Sequence, residues 1–341
     1  MPVERNGMSN LRGYVQEAGL PRMPLHHNAP PVPARGHKSH LNHLTIHPAE
    51  WRRLETIRAR PGVVGDPIII DWIKKFIPAE RLAVPDADPA TGENLSIPCP
   101  PYFDIQAPAA FPLPYDVQRM EAWIQGYPLI TVQRILHAVF PETHGWEFVQ
   151  AEQGIDNPDY PQLFRYFKWT YTGPNANIRD NHAFRSVIVA FQPPWILSEA
   201  DLDEFASSGD FPPCRTHGTL RPRPLKSKWR LWARIWDLCA RHKTAHFVLT
   251  NYHRWTVGVF TDGWTSGYVD EPLEFNSLGP TVVEMLVHTV ASAMGLRGTT
   301  KRPLVCVDPP LHDEYPCTLH DISSLDPQTA RDLCLLLALT G

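Results

Sequence analysis

Ser186-Val187-Ile188-Val189-Ala190-Phe191-Gln192 is an unbroken apolar run closed by an amide, and its reading decides the fold. A strand buried on both faces is apolar throughout instead of alternating, which requires helices on both sides of its sheet. Two further strands are predicted upstream, Trp146–Ala151 and Leu163–Thr172, the second aromatic and alternating as suits a half-exposed strand. Downstream, a Pro193-Pro194-Trp195 corner leads into Ser198-Glu-Ala-Asp-Leu, a capping box that opens a short helix. A longer helix is predicted from about Ser227 to His242. It is followed by His246-Phe-Val-Leu-Thr-Asn, a turn and Trp255-Thr-Val-Gly-Val-Phe, a pair of strands joined as a hairpin. This order predicts an α/β (or α+β) protein with a central mixed β-sheet flanked by helices.

Outward from this core the signals are mixed. Residues 1–44 carry prolines, histidines and polar filler without a sustained period, and predict a flexible arm ahead of one α/β domain over 45–341. Within that domain, 45–84 is expected to hold N-terminal helices: His47–Arg58 with Trp51, Leu54 and Ile57 on one face, then Pro67–Phe76. Eight prolines between Pro85 and Pro114 make 85–114 an irregular connection, because proline lacks a backbone donor and restricts its predecessor. The remainder, 115–341, begins with one helix or two in Val117–Phe140 and is expected to end with helices at Pro280–Met294 and Asp326–Leu339.

Composition narrows the function classes. With 43% hydrophobic and 20% charged residues, disorder is not expected for the bulk of the chain. No segment approaches the roughly 20 apolar residues of a membrane span and the first residues lack a leader pattern, so an intracellular, cytoplasmic or nuclear, protein is expected. Six scattered cysteines form no Cys-x-x-Cys pair and predict no zinc site. A net charge of -4 excludes a chain that is basic throughout, though not a local basic face. Gly-rich phosphate loops and a GxSxG elbow are both missing from the sequence.

Such a basic face is present in 215–243, where Arg215, Arg221, Arg223, Lys226, Lys228, Arg230, Arg234, Arg241 and Lys243 face a single acid, Asp237. On the predicted helix, Trp229, Trp232, Trp236 and Cys239 follow one side, and Arg230, Arg234 and Arg241 another. An aromatic stripe thus backs a positive surface able to hold phosphates, with Arg223, Lys226, Arg230, Arg234 and Arg241 as binding candidates. A solvated helix face packed by its tryptophans explains the same pattern.

The order strand, strand, buried strand, basic helix, strand–turn–strand over 146–260 resembles the PD-(D/E)XK nuclease-like superfamily. It is also similar to proteins of mushroom-forming fungi that share Phe247-Val-Leu-Thr-Asn-Tyr followed by Trp255 and Gly258-Val-Phe. The resemblance implies a restriction-endonuclease-like core with helical additions at both ends. In active members a carboxylate, then Glu-x-Lys on the central strand, gather magnesium and a water to attack a phosphodiester. On this alignment Ala190 stands where the metal-binding Glu is required and Gln192 where the Lys is, while Asp159 and Asp180 are candidates for the upstream carboxylate. The implied chain is a degenerate nuclease-like domain that binds nucleic acid or another protein, with magnesium relevant only if the site is active.

Other constellations are weaker. Histidines at 26, 27, 37, 40, 43 and 47 suggest a metal by their spacing, but surface histidines in a proline-rich arm account for them. Asp308, His312, Asp313, Glu314, His320 and Asp321 suit acid–base chemistry or an ordinary polar loop. The 11 tryptophans admit a different reading, an intracellular enzyme of small-molecule metabolism with an aromatic-lined pocket. A third reading has a partner protein recognising the proline-rich arm.

Overall fold

The computed structural model describes residues 10–32, 52–60, 67–79, 112–150, 164–173, 184–212, 225 and 227–299. They form a mixed nine-stranded sheet with helices on both faces. The expected α/β class is observed.

The decisive run is strand β4 (Val187–Phe191), buried at every position. It lies between β3 (Arg165–Tyr171) and β6 (His246–Thr250), antiparallel to the first and parallel to the second. Outward from β3 lies β2 (Trp146–Gln150), and outward from β6 lie β7 (Arg254–Phe260) and β8 (Ser266–Asp270), each antiparallel to the strand on its inner side. The far end is closed by β1 (Thr56–Arg60), parallel to β8, and the two-residue β5 (Gly209–Asp210). A short β9 (Leu273–Glu274) pairs with the start of β7.

Alternation along β4 divides the core into two layers. Val187, Val189 and Phe191 join an apolar cluster with α1 (Leu11–Glu17), α2 (Pro67–Phe76), α3 (Val117–Ile124), α4 (Ile130–Val139) and α7 (Val282–Met294). Ile188 and Ala190 join the opposite cluster, under α5 (Glu199–Ala206) and α6 (Ser227–Arg241). The predicted capping box at Ser198 is present: its hydroxyl accepts from the Asp201 N–H and its own N–H donates back to that carboxylate. The one-or-two-helix stretch 117–140 resolves as α3 and α4 joined by a π turn over Gln125–Leu129 that contains Pro128. A proline inside a helix removes one ladder bond, and a π turn accommodates that loss without separating the helices. The hairpin β6–β7 is drawn close by Gly258: Phe247, its partner in register, lies where a Cβ would stand, 2.2 Å from its Cζ.

Two expectations are corrected. The helix expected over His47–Arg58 is, in its described part, an extended segment leading into β1, where Ile57 faces the core and Arg58 does not. Five consecutive pairs with β8, from Thr56↔Ser266 to Arg60↔Asp270, override the helical spacing of Leu54 and Ile57. The flexible arm expected over 1–44 is, within 10–23, a segment packed on the core. Asn10 caps α1 by accepting from the Gly13 N–H at 2.8 Å, and Leu11, Val15, Ala18, Leu20 and Met23 are buried. The Tyr252 hydroxyl donates to the Pro21 carbonyl at 2.9 Å and the Thr281 hydroxyl to that of Val15 at 3.0 Å, which ties the segment to the sheet and to α7. The helix expected at Asp326–Leu339 lies outside the described residues.

Candidate functional site

The carboxyl ends of the parallel pair β4–β6 meet the flank of α6. Gln192 directly follows β4, its N–H donating to the Thr250 carbonyl at 3.2 Å. Its side chain is fully buried, and neither its Oε1 nor its Nε2 has a hydrogen-bond partner. Ala190 gives only a methyl to the apolar layer. The two positions that the resemblance reserves for a carboxylate and an ammonium thus hold a methyl and a neutral amide. Magnesium binding needs charged oxygen donors, and this pair does not supply them. Asp159 and Asp180 lie outside the described residues.

Next to Gln192, the register of β6 brings Asn251, whose Nδ2 donates to the Leu197 carbonyl at 2.9 Å and whose Oδ1 accepts from the Arg254 N–H at 2.8 Å. The Trp255 indole donates to the carbonyl of Tyr252, a residue held at φ 73. The segment from Thr250 to Trp255 thus forms a turn whose backbone groups these side chains satisfy.

On the other side, Phe164 directly precedes Arg165, the register partner of Phe191, and the Arg234 guanidinium lies over the Phe164 ring, 5.4 Å from its centroid. The expected division of α6 is observed: Trp232 and Trp236 are buried with their indoles donating to the Phe205 and Trp264 carbonyls, and Arg230, Arg234 and Arg241 are half-buried on the flank. Trp229 is half-buried against Phe211. Lys228 turns inward, donating to the carbonyl and hydroxyl of Ser207 at 2.7 and 2.8 Å, and burial lowers its pKa. Asp237 binds Arg52 through both carboxylate oxygens, at 2.9 and 2.7 Å. The acid of this segment is thereby engaged with Arg52. Arg223 and Lys226 lie outside the described residues.

Further residues join the site at the end of α6, where Tyr166 of β3 and Nε2 of His242 are 3.0 Å apart. Burial, then the charges of Lys168 and Arg241, lower the His242 pKa to about 3, so the imidazole is neutral at physiological pH. The alternation of Leu163–Thr172 was the sequence signal for this grouping, since it sets Phe164, Tyr166 and Lys168 on one face. What one strand's pattern lacks is the identity of the helix lying over it.

Among the described residues no group of three or more His, Cys, Asp or Glu side chains is placed to hold a metal ion, and no helix is long and apolar enough to cross a membrane. His26 and His27 lie near the surface with their rings tilted against each other, centroids 4.0 Å apart; the remaining N-terminal histidines, and the cluster from Asp308 to Asp321, lie outside the described residues. Cys239 is a free, buried thiol whose pKa burial pushes up. Comparison with protein-family models, curated proteins and solved structures found no match.

Proposed function

We propose that this chain is a degenerate nuclease-like α/β domain that binds nucleic acid without cutting it, using the flank of α6 as its contact surface. One observation carries the reading: at the end of a buried central strand, a neutral amide stands where cleavage needs a charged group, and Arg234 lies over Phe164 at the start of the adjoining β3. The series β2, β3, β4, α6, β6 and β7, with β6 parallel to β4, supports the resemblance on which the reading rests. Arg230, Arg234 and Arg241 supply charge and donor geometry suited to phosphates. The buried, hydrogen-bonded tryptophans of both layers support a packing role for these residues over an aromatic-lined metabolite pocket.

Fluorescence anisotropy with labelled DNA and RNA tests the proposal. Binding is expected to weaken as salt rises from roughly 50 to 200 mM, because neutralised phosphates release counterions. Arg241→Gln is expected to weaken binding and flatten the salt dependence, and neither nucleic acid is expected to be cut when magnesium is added. Salt-insensitive or undetectable binding, or magnesium-dependent cutting that Asp159→Ala abolishes, overturns the proposal.

A further inference from the structure

Among the described residues β2 is the outermost strand beyond β3, and the chain enters it directly from α4. Val132 and Leu136 of the helix share an apolar cluster with Trp146 and Phe148 of the strand, so α4 is folded back beside β2. The Thr172 N–H donates to the Gly145 carbonyl at 2.7 Å, which makes Gly145 and Thr172 a hydrogen-bonded pair. Such pairs alternate along an antiparallel ladder, so Glu147 and Val149 bond to β3, and Trp146, Phe148 and Gln150 turn their backbone groups away from it.

Two of these outward groups meet side chains of α4. The Phe148 N–H donates to Gln133 Oε1 at 3.2 Å, and His137 Nε2 donates to the Trp146 carbonyl at 2.8 Å. Both side chains are buried. Their spacing fits the strand: four helical residues advance about 6 Å at ~1.5 Å each, and two strand residues about 7 Å at ~3.3 Å each. Side chains one helical turn apart therefore reach successive outward positions of the strand. Beyond Phe148 the match ends, because Leu129, a turn before Gln133, offers no polar group, and Gln150 is exposed.

We propose that Gln133 and His137 are a guard that ends the sheet at β2, and that what they exclude is the β2 edge of a second copy of this chain. An outward-facing strand edge is a template for another strand, and Trp-Glu-Phe-Val-Gln carries neither the proline nor the lysine that ordinarily blunts one. Two copies related by a two-fold axis present identical outward groups in antiparallel order, so this edge is complementary to itself. The guard lies in the layer opposite α6 and is independent of the nucleic-acid reading.

Light scattering over a concentration series of the full chain tests the guard. Gln133→Ala combined with His137→Ala is expected to give a mass that rises more steeply with concentration than that of the wild type. Adding Gln150→Pro is expected to return the wild-type curve, because proline at an outward edge position removes the N–H that a partner strand needs and no bond to β3. A double variant with the wild-type curve overturns the guard, and so does an increase that Gln150→Pro leaves in place. Should the double variant fail to fold, amide exchange in the wild type decides. The Phe148 N–H is then expected to exchange about tenfold or more slower than that of Gln150, and equal rates overturn the proposal.

Discussion

The amide of Gln192 penalises the folded state, because a buried polar group with no partner forfeits its bonds to water, at about 1–3 kcal/mol. Replacement by methionine keeps the unbranched shape and removes the orphaned atoms. Gln192→Met is therefore expected to stabilise the protein by about 1 kcal/mol, seen as a higher urea midpoint with unchanged slope. A lower midpoint would show that the amide is satisfied in solution. The place of Gln192 at the end of a buried strand was legible from the five apolar residues before it, since no exposed strand has that composition. Its lack of partners was not, because partners are set by chain segments remote in sequence. Lys168 illustrates the same limit: its face follows from alternation, but its proximity to His242 follows only from how α6 is laid across β3.

At the scale of the element, α6 was legible as a two-sided helix because its tryptophans and arginines keep separate faces over four turns. β1 was not, since five residues carry too little periodicity to distinguish a strand that exists only through its pairing with β8. The sequence also gives no sign that the two elements are joined. Arg52, just before β1, and Asp237 of α6 form a bidentate ion pair with side chains only 1% and 6% exposed. Removing one member leaves the other a buried charge without its bidentate counter-charge, so Asp237→Ala is expected to destabilise the fold by about 3–5 kcal/mol. The double change Arg52→Met with Asp237→Leu is expected to recover most of that loss, because an apolar pair of similar volume needs no charge partner. Urea unfolding of the single and double variants checks both. A double variant as unstable as Asp237→Ala would assign the loss to packing instead of to an uncompensated charge.

Across the whole molecule, the two-layer core was legible because β4 must be covered on both sides, whereas the packing of residues 10–23 was not, since short apolar residues amid prolines have no period that announces burial. That covering also makes stability depend on pH. Folding holds the His242 pKa at about 3 against an ordinary 6.5, through burial and the Lys168 and Arg241 charges. Above the ordinary value the imidazole is neutral in both folded and unfolded chains, and its contribution is fully present. As pH falls below it, the unfolded chain takes up a proton that the folded one refuses. Stability then declines by up to about 1.4 kcal/mol per pH unit from this group alone. His253, lowered chiefly by burial with Arg22 also opposing its protonation and Glu199 favouring it, adds a slope of the same sign. Glu274 and Glu284, raised chiefly by burial, hold their protons more tightly when folded and oppose that slope as pH approaches the carboxylate range. The decline is therefore expected to steepen below the ordinary histidine value and to near its full slope about one pH unit lower, and urea midpoints measured from about pH 7.5 to about 5.5 are expected to fall. His242→Gln, which preserves a polar partner for Tyr166 but cannot titrate, is expected to flatten the decline. If that variant retains the wild-type pH slope, the proton responsible is bound elsewhere, and the closure of α6 onto β3 through a neutral imidazole is wrong.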